Sequence, residues 1–445
     1  MSETSNSGSV LTKQRRIALL AAQSPPMAFT SLNHHLDIDW LREAFRQTRK
    51  DGATGVDGQT WHDYEANLED NLQSLLNRVK SGTYRAPPVR RVQIPKGGSK
   101  TETRPIGIPT IEDKLLQRAV VMLLEPVYRW DFLPCSYGFR RGCSAHQALE
   151  DFWKQAMEMR IGWVLEVDIR KFFDTLDHGH LRDLLKQRVR DGVILRLIGK
   201  WLQAGVLEER VLTYPEAGTP QGGVISPLLA NVYLHYVLDL WFHNEVLPRL
   251  RGRAFLIRYA DDFVIGFTDE TDARRVLEVL PKRFGKYGLT IHPDKTRLVP
   301  FQRPRGGTKP PRDQRPGTFD FLGFTHYWAR SRKGNWVIKR KTASSRFTRA
   351  VAAISAWCRT NRHRPLLDQH QELCQKLRGH FGYYGITSNS LALARFRNEV
   401  IWLWYKWLSR RNNRRPQWSW FDRLLKRYAL PLPKVTHSVY RVANS

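Results

Sequence analysis

The chain has 445 residues, a formal net charge of +30 and 41% hydrophobic residues. This length excludes a small module, so we expect two or three packed units, each with its own core. A single-sign charge of this size favours a polyphosphate partner, because cations that neutralise phosphates release counterions. The polar residues 1–10 lack the apolar core of a signal peptide, and no apolar run approaches the ~20 residues of a membrane span, so we expect a soluble protein without a membrane partner.

The first part of the chain is predicted to hold a flexible tail and a packed helix. Residues 1–30 carry no strong pattern and are interpreted as the tail, after which a short helix starts at Trp40. Apolar residues at helical spacing predict a packed helix over 113–125, with Pro126 just beyond its end. We interpret this region as an N-terminal subdomain.

The middle of the chain is predicted to form a sheet backed by helices. The strand-like runs are 163–169, 255–259 and 263–267, and the helical stretches are 179–204 and 224–245. Strands followed by helices in this arrangement indicate an antiparallel sheet in an α+β fold.

The C-terminal third is the cationic part of the chain. Residues 301–445 hold 30 Lys and Arg against 6 Asp and Glu, and therefore carry +24 of the total charge. Residues 303–316 are rich in Pro, Gly and Arg and are interpreted as an exposed basic loop. Beyond the loop, helical patterns predict a basic helical bundle over 326–445.

Tryptophan is also concentrated in this third, which holds 8 of the 15 Trp residues. Aromatic side chains among cations can stack on the bases of single-stranded RNA. Large aromatics are more often core residues, so either role is open for any single Trp.

Three carboxylates follow or join the predicted strands. Asp261 and Asp262 lie between two apolar runs, where an Asp pair is most often plain turn chemistry. Asp168 ends a third apolar run. If the runs are neighbours in one sheet, the three acids can hold two divalent ions roughly 3.5 to 4 Å apart, the arrangement used for in-line phosphoryl transfer.

The cysteines predict neither a disulfide framework nor a zinc site. Cys135, Cys143, Cys358 and Cys374 form no Cys-x-x-Cys pair and have no His at zinc-ligand spacing. The simplest compartment is therefore a reducing cytoplasm.

Several short motifs occur in a characteristic order. They are Arg104 to Pro109 (RPIGIP), Ser136 to Arg140 (SYGFR), Asp168 with Phe172 and Phe173, Gly218 to Asn231 (GTPQGGVISPLLAN), Arg258 to Asp262 (RYADD) and Phe321 to Phe324 (FLGF). In this order, over about residues 40–430, the chain resembles a bacterial group II intron-encoded reverse transcriptase and maturase.

The resemblance implies a right-hand polymerase fold of α+β class. Residues 31–162 would be the fingers with an N-terminal extension, 163–325 the palm, and 326–445 an α-helical thumb and maturase domain. The chain ends at Ser445 without a Cys or His cluster, so the zinc-bearing endonuclease of some relatives is not expected.

The resemblance also implies catalytic roles. Asp168, Asp261 and Asp262, with the backbone carbonyl of Ile169, would hold two Mg²⁺ ions, for which Mn²⁺ can substitute. Lys295 would be a candidate general acid for the leaving pyrophosphate, although a surface lysine is an equal alternative.

Further residues would bind the nucleotide and the primer. Arg104, with Lys96 or Lys100, would grip the triphosphate, since the guanidinium fork suits phosphate oxygens. Phe173 would lie against the sugar 2′ position, with a core Phe as the alternative. Gln221 would lie against the incoming nucleotide. Residues 321–323 (Phe321, Leu322 and Gly323) would support the primer strand.

The implied function is an RNA-directed DNA polymerase that binds its group II intron RNA, assists its splicing and copies it into DNA. Its partners would be the intron RNA, an RNA template with a DNA primer, target DNA and dNTPs, in the bacterial cytoplasm and at the nucleoid during mobility. Two alternatives stay open: an RNA-binding splicing cofactor with incidental polymerase activity, and a domesticated enzyme of DNA repair or phage defence. Retron and diversity-generating enzymes are less favoured, because their fourth motif differs from residues 219–222 (TPQG).

Overall fold

The structure is a computed structural model, and it describes residues 3–25, 27–95, 103–208, 211–214, 218, 222–304, 316–411 and 417–438. The chain forms two compact units that are discontinuous in sequence. The first holds 1–94, 102–148 and 165–298, and the second holds 95–101, 149–164 and 299–445. The predicted linear boundaries of fingers, palm and thumb stay a prediction.

The described helices occur in groups that are separated by short strands. In chain order they are α1 (Glu3–Gln23), α2 (Ile38–Arg46), α3 (Trp61–Glu65), α4 (Leu68–Lys80), α5 (Ile111–Asp131), α6 (Ala145–Met159), α7 (Phe172–Thr175), α8 (His178–Lys186), α9 (Gly192–Leu202), α10 (Ser226–Leu234), α11 (Glu270–Gly285), α12 (Ser344–Asn361), α13 (Leu366–Tyr384), α14 (Ser390–Leu408) and α15 (Trp418–Arg427). No helix in these described ranges is long and apolar enough to cross a membrane.

The strands of the described ranges form three sheets. They are β1 (Val89–Pro95), β2 (Thr103–Ile108), β3 (Trp163–Val167), β4 (Val206–Glu208), β5 (Val211–Thr213), β6 (Ala254–Tyr259), β7 (Asp262–Phe267), β8 (Arg297–Pro300), β9 (Phe319–Phe321), β10 (Phe324–Arg330) and β11 (Trp336–Thr342). The sheet orders are β2-β1-β4-β5, β6-β7-β3-β8 and β11-β10-β9. This mixture of helices and sheets agrees with the predicted α+β class.

The N-terminal tail predicted over residues 1–30 is wrong, because Glu3–Gln23 form α1. Val10, Ile17 and Ala21 are spaced along one helical face and are buried. The helix packs against α5, where the side chain of Gln14 donates a hydrogen bond to the carbonyl of Met122. Burial of this apolar face orders a segment whose composition alone resembles a tail.

Three other helix predictions differ from the structure in extent. α5 continues through Pro126 to Asp131, whereas the prediction ended it before the proline. The stretch 179–204 is two helices, because Asp191 caps the N-terminus of α9 through its side chain. The stretch 224–245 starts as α10 and continues as the π-helical segments His235–Asp239 and Phe242–Val246.

The hairpin of β6 and β7 is a buried part of the first unit. The two strands are antiparallel, and their register pairs Tyr259 with Asp262 at the turn. Residues 255–258 and 263–267 are buried. Near-continuous burial of both strands explains why they are rich in Val, Ile, Leu and Phe, and it fixes the turn between them on a rigid base.

The second unit combines the β9-β10-β11 sheet with a helical core. The buried residues of that core come from α12, α13, α14 and α15 and include Leu377, Phe396 and Trp404. The basic helical bundle predicted over 326–445 is present only from Ser344 onward, because residues 326–330 and 336–342 lie in the strands β10 and β11. The helix α15 is an addition that the patterns did not indicate. Most of the predicted basic loop, residues 305–315, lies outside the described residues.

Candidate active site

The catalytic candidates Asp261 and Asp262 lie at the tight turn between β6 and β7. Because Tyr259 pairs with Asp262, only Ala260 and Asp261 form the loop of this hairpin. Ala260 has a φ of 57°, a left-handed value that is strained for a residue with a Cβ. The turn leaves Asp261 half-buried and Asp262 exposed. The two neighbouring carboxylates therefore lie in different environments.

Asp168 follows β3 and is held by a second backbone segment. Its carbonyl accepts a hydrogen bond from the backbone N–H of His292 at 2.8 Å, and Arg170 donates to the carbonyl of Thr290 at 2.8 Å. These two bonds flank the antiparallel pair of Ile169 with Ile291. Ile169 and Ile291 exchange no backbone hydrogen bonds themselves, because the residues on either side make them. In such an antiparallel pair the N–H and C=O of Ile169 point away from Ile291, toward the opposite edge of its strand.

The structure brings the segments of Asp168 and Asp261 together, because β3, which Asp168 follows, is the neighbour of β7 in the sheet β6-β7-β3-β8. Burial raises the pKa of Asp261 above its ordinary value, and the negative charge of Asp168 raises it further. The positive charges of Arg104 and Arg258 oppose this rise. Arg104, a predicted triphosphate ligand at the start of β2, is thus close enough to act on the same carboxylate. Two acids and one exposed arginine therefore act on one another electrostatically. The acids suit cations and the arginine suits an anion, so the group indicates a site for a polyanion that binds together with cations.

Lys295 forms an ion pair with Asp168. Its ammonium Nζ is 3.1 Å from Oδ2 of Asp168, and the two side chains are 59% and 41% exposed. An ion pair this exposed adds little to stability. The pair therefore leaves the lysine able to exchange partners when other ligands reach Asp168.

The glycine-rich motif lies beside the other motifs of the first unit. A Cβ on Gly218 would come within 2.8 Å of the Phe173 carbonyl, and one on Gly222 within 2.6 Å of the Gly107 carbonyl. Both glycines have a positive φ, which suits this close backbone approach. The segment of Phe173 therefore lies against Gly218, and the segment of Gly107 lies against Gly222.

The remaining predicted nucleotide-binding residues differ in how far the structure places them. Lys96, Lys100 and Gln221 lie outside the described residues. Phe173 is half-buried, and its ring meets that of Phe172 edge to face at 5.3 Å. Of the two interpretations of Phe173, a fully buried core residue is thus less suitable than a partly accessible one.

The predicted primer support lies in the second unit, in the tight turn between β9 and β10. Leu322 and Gly323 both have positive φ. The hydroxyl of Tyr383 donates to the Leu322 carbonyl at 2.8 Å, and the hydroxyl of Tyr384 is 3.1 Å from the position of a Cβ on Gly323. The hairpin turn at residues 321–323 is therefore held by contacts with two tyrosines of α13.

Carboxylate oxygens and a backbone carbonyl are the ligand types that Mg²⁺ prefers. Asp168, Asp261 and the carbonyl of Ile169, which points away from Ile291, supply these types. The pKa of Asp261 is raised, so a nearby cation would stabilise its charged form. In the described residues, however, no group of three or more Asp, Glu, His or Cys side chains is already arranged as a metal site. These oxygen ligands fit Mg²⁺, and their final arrangement around the ion would form when the ion binds.

The turn is supported by a loop whose motif, residues 136–140, carries no sign of this contact in the sequence. Ser136 pairs with Arg258, through a hydrogen bond from the Tyr137 N–H to the Arg258 carbonyl at 2.9 Å. The next residue, Gly138, packs so closely on the turn that a Cβ there would be 2.3 Å from the backbone nitrogen of Ala260. The requirement for a glycine is therefore steric.

A separate cavity of about 430 Å³ lies between α1, α5 and the loop at 139–141. Its lining includes Trp130, Phe139 and the arginines Arg15 and Arg129, but none of the predicted site residues. The chemistry therefore belongs to the open surface around the acids rather than to this cavity.

A family model described as "Reverse transcriptase (RNA-dependent DNA polymerase)" matches residues 94–326, more than half of the chain. The chain belongs to the reverse transcriptase family. The match includes Arg104, Phe173 and all three acids of the candidate site. The predicted fold and the predicted RNA-directed DNA polymerase activity of this reverse transcriptase are thereby confirmed.

Curated relatives support the narrower resemblance to intron-encoded enzymes. Protein YkfC of Escherichia coli is 35% identical over 325 residues, which cover 64% of this chain and 83% of that protein. Group II intron-encoded protein LtrA of Lactococcus lactis is 43% identical over 176 residues, 39% of this chain and 29% of LtrA. An uncharacterized 91 kDa protein in the cob intron of Schizosaccharomyces pombe is 38% identical over 283 residues, 52% of this chain and 34% of that protein. The reverse transcriptase thus spans about a third of the intron-encoded relatives that it matches.

We predict that Gly138→Ala slows primer extension on the order of 100-fold, because the new Cβ must displace the Ala260–Asp261 turn by a fraction of an ångström or more. The measurement is the single-turnover rate of nucleotide addition, with the melting temperature of each variant recorded beside it. Gly285→Ala is the matched control, since a Cβ at that position meets nothing within 4 Å. Equal rates for the two variants would contradict the prediction.

Proposed function

We propose that this reverse transcriptase extends a DNA primer on an RNA template through divalent ions held by Asp168, Asp261 and Asp262. The observation that carries the proposal is the sheet order β6-β7-β3-β8, because it places β3, which Asp168 follows, next to β7, which begins at Asp262. The negative charge of Asp168 accordingly contributes to the raised pKa of Asp261. When bound, two Mg²⁺ ions would activate the primer 3′-hydroxyl and neutralise the departing pyrophosphate, and Mn²⁺ can serve in their place. The Ile169 carbonyl completes the proposed ligand set.

The remaining residues of the proposed site act on the nucleotide. Arg104 is exposed and lies within the electrostatic reach of Asp261, so it is suited to bind the triphosphate. Lys96, Lys100 and Gln221 are proposed partners on the motif resemblance alone. Phe173 is partly accessible, and its backbone lies against Gly218, so its ring is suited to exclude a ribose 2′-hydroxyl.

Lys295 is proposed to hold Asp168 in the resting enzyme and to turn toward the phosphates in the complex. Its ammonium already lies 3.1 Å from the carboxylate, so it would be near pyrophosphate held by divalent ions at the same acids. There it can donate the proton that the leaving group requires.

The second unit is proposed to bind the group II intron RNA that the enzyme helps to splice and then copies into target DNA. The support is chemical: residues 301–445 carry +24, and Trp402, Trp418 and Trp420 are large aromatics with exposed surface. Trp402 and Trp418 contact each other with ring centroids 4.8 Å apart, between α14 and α15. Cations beside exposed rings suit the phosphates and bases of structured RNA.

We expect Asp261→Ala to reduce Mg²⁺-dependent primer extension on an RNA template by about 1000-fold, the effect of removing several kcal/mol of metal binding in the transition state. Asp294→Ala is the control, because Asp294 is a highly exposed carboxylate of the same unit. Extension assays on both variants and on the unaltered chain give the result. Undiminished extension by Asp261→Ala would refute the proposed chemistry. Loss of intron splicing in the same variant would show that splicing also needs these acids, contrary to a separate role in RNA binding.

We also expect that the affinity for intron RNA depends on salt through the second unit. Four exposed cations of α14, α15 and the residues just after α14 are changed together to Gln: Lys406, Arg410, Arg423 and Arg427. The slope of log affinity against log salt should fall by about 0.7 to 0.9 for each phosphate that is no longer neutralised. Filter binding from low to high salt measures the slope.

The matched control neutralises four exposed cations of the first unit. They are Arg85, Arg182, Arg275 and Lys286. This control should keep the slope of the unaltered chain. A slope that falls only in the control would place the intron RNA on the first unit and contradict the proposal.

A further inference from the structure

The fully buried side chain of Arg258 lies beneath the catalytic turn and uses all five of its N–H groups. Nε and Nη2 donate to the two carboxylate oxygens of Asp239 at 2.7 and 2.6 Å. Nη1 donates to Oδ1 of Asn231 and to the carbonyl of Ala260, both at 3.0 Å. Nη2 also donates to Oγ of Ser136 at 2.8 Å. The guanidinium is therefore fixed from every side.

The partners of Arg258 are themselves held by neighbouring elements. Asp239 is fully buried in the π-helical segment that follows α10. Asn231 of α10 donates from Nδ2 to the Gly138 carbonyl at 2.7 Å. Burial lowers the pKa of the neighbouring His235 to about 4, so this histidine is neutral and Arg258 supplies the charge that faces Asp239. The network joins α10, the 136–138 loop and β6 in one hydrogen-bonded set.

Only one contact of this set reaches the catalytic turn itself. The Ala260 carbonyl accepts from Arg258, and Ala260 is the residue in the left-handed conformation. That conformation costs about 1 kcal/mol or more for alanine, so another interaction must hold it. A charge-assisted hydrogen bond to the same peptide group is strong enough to do so.

Stability alone does not explain the ion pair. Replacing a buried ion pair by apolar side chains of similar volume is often neutral or stabilising, because desolvation of both charges offsets their attraction. Arg258 also forms a rigid fork that can bind Asp239 with two donors and still direct a third to Ala260. A lysine would supply the charge without this geometry.

We propose that Arg258 is a positioning residue for Asp261, and that Asp239 is the anchor that aims it. The pair holds the Ala260 carbonyl, so that the Asp261 carboxylate meets Asp168 in the arrangement required for nucleotidyl transfer. The proposal rests on the proposed function of Asp261. In this proposal the buried Arg258–Asp239 pair affects the rate of nucleotide addition and leaves the affinity for the nucleotide unchanged.

The test is the double variant Arg258→Met with Asp239→Leu in the full chain. Removing both charges together avoids an unpaired buried ion, but it also removes the donor to Asn231 and Ala260, so the melting temperature should fall to a degree that the matched control below calibrates. Single-turnover addition of a dNTP to a primer on an RNA template should slow at least about tenfold, the equivalent of removing one charge-assisted hydrogen bond. The KM for dNTP should stay within about twofold, because no group that touches the nucleotide is altered.

A matched control distinguishes positioning from general packing. Arg188 and Asp131 form another largely buried pair in the same unit, with Nε 2.7 Å from Oδ2 and no bond to the turn. Arg188→Met with Asp131→Leu should alter the melting temperature without the tenfold loss of rate. An equal loss of rate in this control, or a full rate in the Arg258 double variant, would overturn the proposal.

A single variant covers the case in which the double variant does not fold. Arg258→Lys keeps the charge opposite Asp239 but cannot reach Asp239 and Ala260 together, so its maximal rate should fall with an unchanged KM. An unchanged rate would overturn the positioning role. Failure of the proposed function is separate, because it would appear as full activity in Asp261→Ala whatever the Arg258 variants show.

Discussion

The site depends on keeping two carboxylates of like charge side by side. Asp168 and Asp261 come from segments that are 93 positions apart (261 − 168), and the raised pKa of Asp261 reflects both its burial and its neighbour. Such an arrangement is unfavourable unless the backbone enforces it and a cation compensates it. The first unit supplies the backbone: hydrogen bonds to the 290–292 segment hold Asp168, and a strained hairpin turn holds Asp261. A divalent ion is the compensation that polymerase chemistry then uses.

The elements around the two carboxylates hold them in place, some by direct contact with the turn and others through those contacts. The buried strands β6 and β7 provide the rigid hairpin, and Gly138 lets the 136–140 loop pack directly on its turn. Arg258 and Asp239 fill the space below with a neutral, fully hydrogen-bonded pair. Exposed groups such as Arg104 and Lys295 remain on the outer side, where a nucleotide can reach them. Rigid inner and adaptable outer layers are the usual basis of a preorganised site.

The acids and their strands could be predicted from sequence because each acid adjoins a mainly apolar run, which is a local pattern. The order of the motifs then identified the family. The ends of helices were less accessible: α5 passes through Pro126, and α1 is ordered by packing on α5. Both effects are tertiary and leave little local signal.

The buried ion pair was missed although a signal existed. Asp239 is a lone acid in an apolar helical stretch, and Arg258 a lone base in an apolar strand, so each needs a partner of opposite charge. Nothing in the sequence states that they are partners of each other, or that the Ala260 carbonyl shares the same guanidinium. The contact of Lys295 with Asp168 likewise arises from a backbone pairing that the linear motif does not contain.

Binding of Mn²⁺ to the full chain with primer, RNA template and a non-extending nucleotide analogue, followed by electron paramagnetic resonance, measures the proposed metal site directly. The unaltered chain should bind two ions tightly, and Asp168→Asn and Asp261→Asn should each lose tight binding. Asp294→Asn, altered at an exposed carboxylate, should bind as the unaltered chain does. Equal Mn²⁺ binding by the unaltered chain and Asp261→Asn would contradict the assignment of these acids as metal ligands.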